Sequence, residues 1–140
     1  MEACRAYQVC DPFSMKGRWR ELYPQAKELH LELGCGKGTF TVGTARNEPD
    51  ILLIAVEVVP DCLVMAMEKA QAAALDNVFV VSGDAALLPE MFAVLNSGEL
   101  LIEAVEISGE LASGVLCGVP EIVLRIFLAI VVGVDIDVLR

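Results

Sequence analysis

Residues 31–40 read LELGCGKGTF, and this short stretch decides how the chain is interpreted. An apolar run leads into three glycines at alternate positions, Gly34, Gly36 and Gly38. Glycine has no Cβ atom, so such a segment turns sharply and lets a ligand come close to the backbone. The stretch therefore predicts a strand that ends in a ligand-binding turn, followed by a helix.

Two phosphate-binding turns do not fit the spacing of these glycines. A Walker phosphate loop requires Ser or Thr directly after its lysine, but Lys37 is followed by Gly38. In a dinucleotide turn of the form Gly-x-Gly-x-x-Gly, the third glycine would fall on Thr39 or Thr41, depending on the glycine counted first. The frame that does fit is Glu-x-Gly-x-Gly-x-Gly.

That frame, formed by Glu32 and the three glycines, resembles the turn of Rossmann-like methyltransferases that use S-adenosylmethionine (SAM). SAM has no pyrophosphate to neutralise, and its sulfonium is cationic. An acidic residue near the turn is therefore acceptable, and the glycines allow the backbone to approach the methionine and ribose parts of the cofactor.

Two further acids have the positions that such a site requires. Glu57 follows the apolar run ILLIAV, 23 residues after Gly34, where an acid can accept hydrogen bonds from ribose hydroxyls. Asp84 follows a third apolar segment, and its carboxylate can accept from the adenine amino group. Taken singly, Glu57 could be a solvated strand end, Asp84 a capping residue and the glycines a tight connection. The joint spacing favours a SAM site.

The order of predicted elements indicates the fold. Strands at 29–33, 51–58 and 78–81 alternate with helices at about 38–47 and from Pro60 to Asp76. This alternation predicts an α/β domain with a parallel sheet flanked by helices, the Rossmann-like SAM-dependent methyltransferase fold. We expect an N-terminal extension at 1–28, a SAM-binding core at 29–93, and a divergent apolar and acidic part of the same domain at 94–140. Residues 121–138 are the best strand candidate in that last part.

The composition of the chain argues against several other classes of protein. A net charge of −10 does not favour a general nucleic-acid binder, although a local basic patch remains compatible with it. Five cysteines without a CxxC pair and a single histidine predict no metal site and indicate free thiols in a reducing cytoplasm. The most apolar stretch, 122–134, is too short to cross a membrane, so no membrane partner is expected.

A narrower resemblance follows from segments around the glycine turn. DPFSMKGRWRELYP at 11–24, HLELGCGKGTF, ILLIAVEV, NVFVVSGDA and LLPEMFA are together similar to the tRNA (guanine-N7-)-methyltransferases, over about residues 11–93. The more specific features are Gly17-Arg18-Trp19 ahead of the turn and Gly36-Lys37-Gly38 within it. The resemblance implies an enzyme that methylates N7 of a guanine in tRNA, with SAM as cofactor and tRNA as partner.

The resemblance also implies roles for individual residues. The implied SAM-binding residues are Glu32, Gly34, Gly36, Glu57 and Asp84. The implied contacts with tRNA phosphates are Lys16, Arg18 and Arg20, for which a solvated loop face is the alternative. Trp19 is expected to be a packing anchor and Cys35 a packing residue rather than a nucleophile. No catalytic residue is assigned.

The sequence departs from this family after residue 93. The family has an Asp-Pro-Trp-type motif after its fourth strand, whose Asp is assigned to the target guanine, whereas this chain reads VLNSGELLIEAVEISGEL. The missing Asp-Pro-Trp motif implies impaired methyl transfer. The downstream basic, tRNA-binding part is also absent. A shifted reading frame, a splice variant or true divergence would each explain residues 94–140. The alternative functions are an inactive SAM-binding or partner-binding module and a methyltransferase for a small molecule.

Overall fold

The computed structural model describes residues 6–84 and 87–92 in full and residues 104–107 by their backbone. Four strands and three helices follow one another in this part of the chain: β1 (Glu28–Leu33), α1 (Thr39–Asn47), β2 (Ile51–Glu57), α2 (Pro60–Ala72), β3 (Val78–Ser82), α3 (Leu88–Met91) and β4 (Ala104–Ile107). Before them, two short 3-10 helices occupy Phe13–Met15 and Trp19–Leu22. The predicted alternation of strands and helices is thus confirmed.

The four strands form one parallel sheet in the order β3-β2-β1-β4. Leu33 at the end of β1 lies opposite Val56 of β2 on one side and Ile107 of β4 on the other. The carboxyl ends of the strands therefore meet at one edge. This edge receives the loops that follow each strand, which is where open α/β sheets bind ligands.

Both faces of the sheet are covered, which explains why β2 is an unbroken apolar run ending in Glu57. Leu31, Ile54 and their neighbours face a cluster that includes Trp19 and Phe92. We call residues 6–27 the N-terminal segment; together with α3 it covers this face. Side chains from α1 and α2 pack on the opposite face.

Close packing between α1 and α2 depends on Gly38. Its φ is +77°, and a Cβ built there would lie only 2.6 Å from the Cβ of Ala66 in α2. At the amino ends of the strands, the buried amide of Asn77 donates to the carbonyls of Ala45 and Ile51, at 3.0 and 3.2 Å. These contacts hold α1 at both ends against β2 and α2.

Residues 94–140 are described only at β4, which lies in the region where strands and turns are predicted. The strand candidate at 121–138 lies outside the described residues. None of the helices in the described part of the chain has the length and apolar character needed to cross a lipid bilayer.

Candidate functional site

The glycine turn lies where the winding of the sheet changes direction. From β1 the chain proceeds to β2 and β3 on one side, whereas β4 pairs with the other side of β1. Adjacent loops diverge at such a switch point and leave a crevice at the carboxyl ends of the strands. The turn after β1 therefore borders the position in which this type of sheet binds cofactors.

All three glycines of the turn have left-handed backbone conformations. The φ angles are +68° at Gly34, +53° at Gly36 and +77° at Gly38. Other L-residues rarely adopt these values, so the alternating glycines are required by the path of the chain. The N–H groups of Gly34 and Cys35 donate to the carbonyl of Val56, at 2.8 and 3.2 Å, which ties the turn to β2.

Glu57 joins the glycine turn to the loop between β2 and α2. Its Oε2 accepts a hydrogen bond from the N–H of Gly36 at 2.8 Å, and its Oε1 accepts from the N–H groups of Val58 and Val59 at 2.9 and 3.0 Å. The residue is 7% exposed. The carboxylate thus lies between two loops at the edge predicted for the ribose.

Asp84 lies on the loop that follows β3 at the same edge. The preceding Gly83 donates its N–H to the backbone carbonyl of Glu57 at 3.1 Å, so the Asp84 loop starts beside that residue. The carbonyl of Asp84 accepts from the N–H of Leu87 at 3.0 Å, and Asp84 is exposed. The structure brings Gly36, Glu57 and the Asp84 loop together.

Glu32 differs from the other two acids because its side chain is fully buried. Its Oε2 accepts a hydrogen bond from the hydroxyl of Thr41 at 2.6 Å. Since Thr41 belongs to the first turns of α1, this bond fixes the helix beneath the glycine turn. The sequence prediction that Glu32 binds the cofactor stays a prediction.

Cys35 is buried between the turn and α2, in a cluster with Leu63 and Ala66. Burial, with the nearby charges of Glu32 and Glu57, raises the pKa of its thiol from 9.0 to about 12. A thiol with this pKa stays protonated at neutral pH and is a poor nucleophile. The packing role expected for Cys35 agrees with this environment.

The three basic residues expected to contact tRNA have internal partners. Lys16 donates from Nζ to the carbonyl of Pro89 at 2.9 Å, and Arg18 pairs with Glu21 at 2.9 Å. A guanidinium nitrogen of Arg20 lies 3.3 Å from the carbonyl of Lys27. Lys16 and Arg18 are exposed, whereas Arg20 is half-buried. These side chains therefore do not form one uncommitted cationic patch.

Trp19 is a packing anchor, as the sequence predicted. It is 3% exposed, and its ring stacks on Phe92 with centroids 4.9 Å apart and planes at 14°. Its Nε1 donates to the carbonyl of Met91 at 2.8 Å. The Gly-Arg-Trp segment thus has a structural attachment to α3.

Sequence reasoning did not single out Thr41, Val58 and Val59, which hydrogen-bond to the predicted site acids Glu32 and Glu57. No local pattern pairs Thr41 with Glu32, but the two valines carry a signal. They are apolar, follow the acid that ends β2 and are 59% and 47% exposed. The signal in the sequence is their position directly after the strand-ending acid, and the structure adds that both side chains are accessible to a ligand. Among the described residues, no group of three or more acidic, histidine or cysteine side chains could hold a metal ion.

Comparisons with known proteins agree with this geometry. The model of the family Methyltransf_4, described as "Putative methyltransferase", matches residues 26–101. The tRNA (guanine-N(7)-)-methyltransferase of Listeria innocua is 38% identical over 92 residues, which are 66% of this chain and 43% of that protein. This chain therefore spans less than half the length of that relative, and the resemblance inferred from the sequence is confirmed over about two thirds of the chain.

Two solved structures support the fold. A protein of Methanococcus maripaludis, described as a "putative S-adenosyl-L-methionine-dependent methyltransferase", has a TM-score of 0.55 at 15% identity, over 88% of this chain and 49% of its own. PKMT2 from Rickettsia typhi, solved in complex with AdoHcy, has a TM-score of 0.53 at 15% identity, over 87% of this chain and 22% of its own. Together with the sheet order, they confirm the predicted Rossmann-like fold.

Proposed function

Because the chain belongs to the Methyltransf_4 family of methyltransferases, we propose that it binds SAM and transfers the methyl group to N7 of a guanine in tRNA. The names of the relatives support this substrate. The observation that carries the cofactor assignment is the 2.8 Å hydrogen bond between Glu57 and Gly36 at the carboxyl edge of the sheet. This bond joins the predicted ribose-binding acid to the predicted cofactor turn, which supports the assignment.

The residues of this edge fit the cofactor. Gly34 and Gly36 present backbone without side chains, so the methionine and ribose parts can lie against the turn. A carboxylate has about four acceptor sites, and backbone N–H groups occupy three of those on Glu57. The remaining site on Oε2 accepts a ribose hydroxyl in this proposal.

The loops beside Glu57 complete the proposed site. The exposed side chains of Val58 and Val59 offer an apolar surface to the adenine ring, which has large flat faces. The exposed carboxylate of Asp84 accepts from the adenine amino group. Glu32 supports the site by fixing α1 through its hydrogen bond with Thr41. It also contacts the cofactor in this proposal.

The proposed chemistry requires alignment more than proton transfer. When bound, SAM supplies an electrophilic methyl group, which the lone pair of guanine N7 attacks while the sulfur keeps the electrons of the broken bond. N7 carries no proton, so the chain needs no general base. Its residues contribute by holding the two reactants in line, which accounts for a large share of the rate in bimolecular transfers.

Binding of tRNA is assigned to Lys16, Arg18 and Arg20. Each would contribute to phosphate binding in a salt-dependent manner. Their internal hydrogen bonds are exposed or half-exposed, and such pairs stabilise proteins weakly, so phosphate can replace them at small cost. With a net charge of −10 on the chain, binding of phosphate depends on these three individual side chains rather than on a generally basic surface.

We also propose that methyl transfer is slow in this chain. The resemblance requires an Asp-Pro-Trp-type motif after the fourth strand. The fourth strand is β4, and the sequence after Ile107 reads SGELASG. A chain that keeps the cofactor site and lacks the guanine-positioning Asp should bind SAM and lose much of its rate. This departure also favours the second candidate, a SAM-binding module without catalysis.

Calorimetric titration tests the cofactor site first. We expect the parent chain to bind SAM and Glu57→Ala to bind at least about tenfold more weakly, since a charged hydrogen bond is lost. Glu68→Ala removes an exposed acid from α2 and serves as the charge-matched control, with unchanged affinity expected. No binding by the parent would contradict the proposal.

Transfer of a tritiated methyl group from SAM to a tRNA transcript tests the substrate. Replacing guanosine by 7-deazaguanosine removes the N7 lone pair, so any label that enters the normal transcript should not enter this one. Binding of SAM without transfer would support the non-catalytic module. Label in the 7-deaza transcript would contradict N7 as the acceptor.

A further inference from the structure

The indole of Trp19 holds the carboxyl end of α3. Its Nε1 donates to the carbonyl of Met91 at 2.8 Å, and its ring stacks on the next residue, Phe92, with centroids 4.9 Å apart. Both Met91 and Phe92 are buried, at 1% and 2% exposure. Two different contacts from one side chain therefore fix the end of this short helix.

Met91 links α3 to the edge of the sheet at which the cofactor site is proposed. A Cβ built at Gly83 would lie 3.1 Å from Cε of Met91, so the methionine methyl packs against the backbone of Gly83. Gly83 precedes Asp84, and its N–H donates to the carbonyl of Glu57 at 3.1 Å. Met91 therefore limits the space into which the backbone next to Asp84 can move.

The helix itself has little means of keeping this position. α3 consists of four residues, Leu88–Met91, and a single helical turn is unstable without tertiary contacts. Lys16 adds one such contact, because its Nζ donates to the carbonyl of Pro89 at 2.9 Å. This contact is exposed, whereas those of Trp19 are buried, so Trp19 provides the stronger restraint.

From these contacts we propose that Trp19 is a positioning residue for the cofactor site. It holds Gly83, and with it Asp84, in the place where the carboxylate meets the adenine ring. The inference rests on the proposed SAM site at this edge. Trp19 acts through Met91 and Gly83 and does not itself touch the cofactor.

The substitution Trp19→Phe separates the two contacts of the indole. It keeps an aromatic ring beside Phe92 and removes the donor to the Met91 carbonyl. Tyr23→Phe is the matched control, because it removes one hydrogen bond from the same N-terminal segment, donated to the carbonyl of Pro49 at 3.1 Å. Pro49 precedes β2 and therefore lies at the opposite end of the sheet from the proposed site.

Amide hydrogen exchange in the cofactor-free full chain is the first readout. We expect the N–H groups of Gly83 and Leu87 to exchange about tenfold faster in Trp19→Phe, because a restraint worth one buried hydrogen bond is gone. Tyr23→Phe should leave both rates at the parent values. If Trp19 contributed only to global stability, the amides throughout the β-strands would instead exchange faster to a similar degree.

Titration with SAM is the second readout. The Kd should rise about three- to tenfold in Trp19→Phe and stay unchanged in Tyr23→Phe, since a loosened Asp84 loop must be ordered on binding. Equal exchange rates at Gly83 and Leu87 in the two variants would overturn the positioning role. So would an unchanged Kd in Trp19→Phe.

The two hypotheses fail in different ways. If the parent chain binds no SAM, the proposed function fails, and the exchange rates of the cofactor-free protein still decide whether Trp19 positions the loop. If Trp19→Phe does not fold, Phe92→Leu is measured in its place. That variant keeps the indole hydrogen bond and removes the stacked ring, and the same two amides are expected to exchange faster.

Discussion

The side chain of Glu57 is hydrogen-bonded to the backbone of Gly36, with 2.8 Å between Oε2 and the amide nitrogen. The two residues are 21 positions apart in the chain; Gly36 follows β1, and Glu57 ends the neighbouring strand β2. Since Oε1 of the same carboxylate accepts from Val58 and Val59, one side chain organises two loops. One carboxylate therefore holds together the two loops of the proposed cofactor site.

Glu57→Gln should disorganise these loops although its side chain has nearly the same size. An amide has one oxygen and one NH2 group, so it cannot accept bonds on both sides as the carboxylate does. Facing an NH2 group toward a backbone N–H should cost about 1–3 kcal/mol of folding stability. Urea denaturation measures this loss. Glu68→Gln is the control, and equal stability of the two variants would contradict the organising role.

Alanine substitutions at Gly38 in the turn and at Gly43 in α1 should change the stability of the fold in opposite directions. Gly38→Ala places a Cβ 2.6 Å from that of Ala66 at a φ of +77°, so we expect a loss of at least about 2 kcal/mol. Gly43 lies inside α1 with nothing within 4 Å of a built Cβ, and Gly43→Ala should stabilise by about 0.5–1 kcal/mol. Thermal denaturation of both variants tests this pair, and a tolerated Gly38→Ala would show that the helices can separate.

The thiol of Cys35 should make the protein sensitive to alkaline pH. In the folded chain its pKa is about 12, raised from 9.0 first by burial and then by nearby acids. Between these values the unfolded state releases the proton while the folded state keeps it. Stability is therefore fully present below pH 9 and falls as the pH rises toward 12.

Urea denaturation at several pH values measures this effect, with Cys35→Ala as the comparison. The substituted chain should lose less stability than the parent above pH 9. Iodoacetamide at pH 8 provides a second measurement, because exposed Cys10 should react in the native protein and buried Cys35 only after unfolding. Equal labelling of the two cysteines would contradict the buried, protonated thiol.

Asn77→Ala should destabilise the fold and spare the cofactor site. The amide nitrogen of Asn77 lies within 3.2 Å of the carbonyls of Ala45, Glu48 and Ile51, at the amino ends of the strands. Losing this buried donor leaves carbonyls without their partner, at a cost of about 2–3 kcal/mol. The Kd for SAM should stay within about twofold at a temperature where the variant is folded, because distant sites are close to independent. A large change in Kd would show that the two ends of the sheet are coupled.

Much of the proposed cofactor edge could be predicted from sequence, because each of its turns depends on the residues of a single strand-to-helix connection. Three glycines at alternate positions predicted the turn, and their φ angles explain why. Neighbouring parallel strands are joined by one helix and two loops, and the number of residues between Gly34 and Glu57 fits such a connection. This separation predicted that Glu57 ends the strand next to β1.

The contacts that support this edge depend on tertiary packing and were not predictable. Trp19 stacks on Phe92, 73 residues away, and nothing local to either residue selects the other. The bond between Thr41 and Glu32 likewise requires the placement of α1 on β1. Lys16 likewise reaches Pro89, 73 residues away, whereas the partners of Arg18 and Arg20 lie within the N-terminal segment itself.

Titration of the isotope-labelled full chain with SAM, followed by NMR of the backbone amides, tests the central claim most directly. The site proposed here predicts that the amides of Gly36, Val58 and Gly83 shift with SAM concentration along one binding curve. The amide of Leu53, which donates to the carbonyl of Asn77 towards the opposite end of the sheet, should stay in place. Unchanged Gly36, Val58 and Gly83 resonances at saturating SAM, or shifts confined to the other end, would contradict the account.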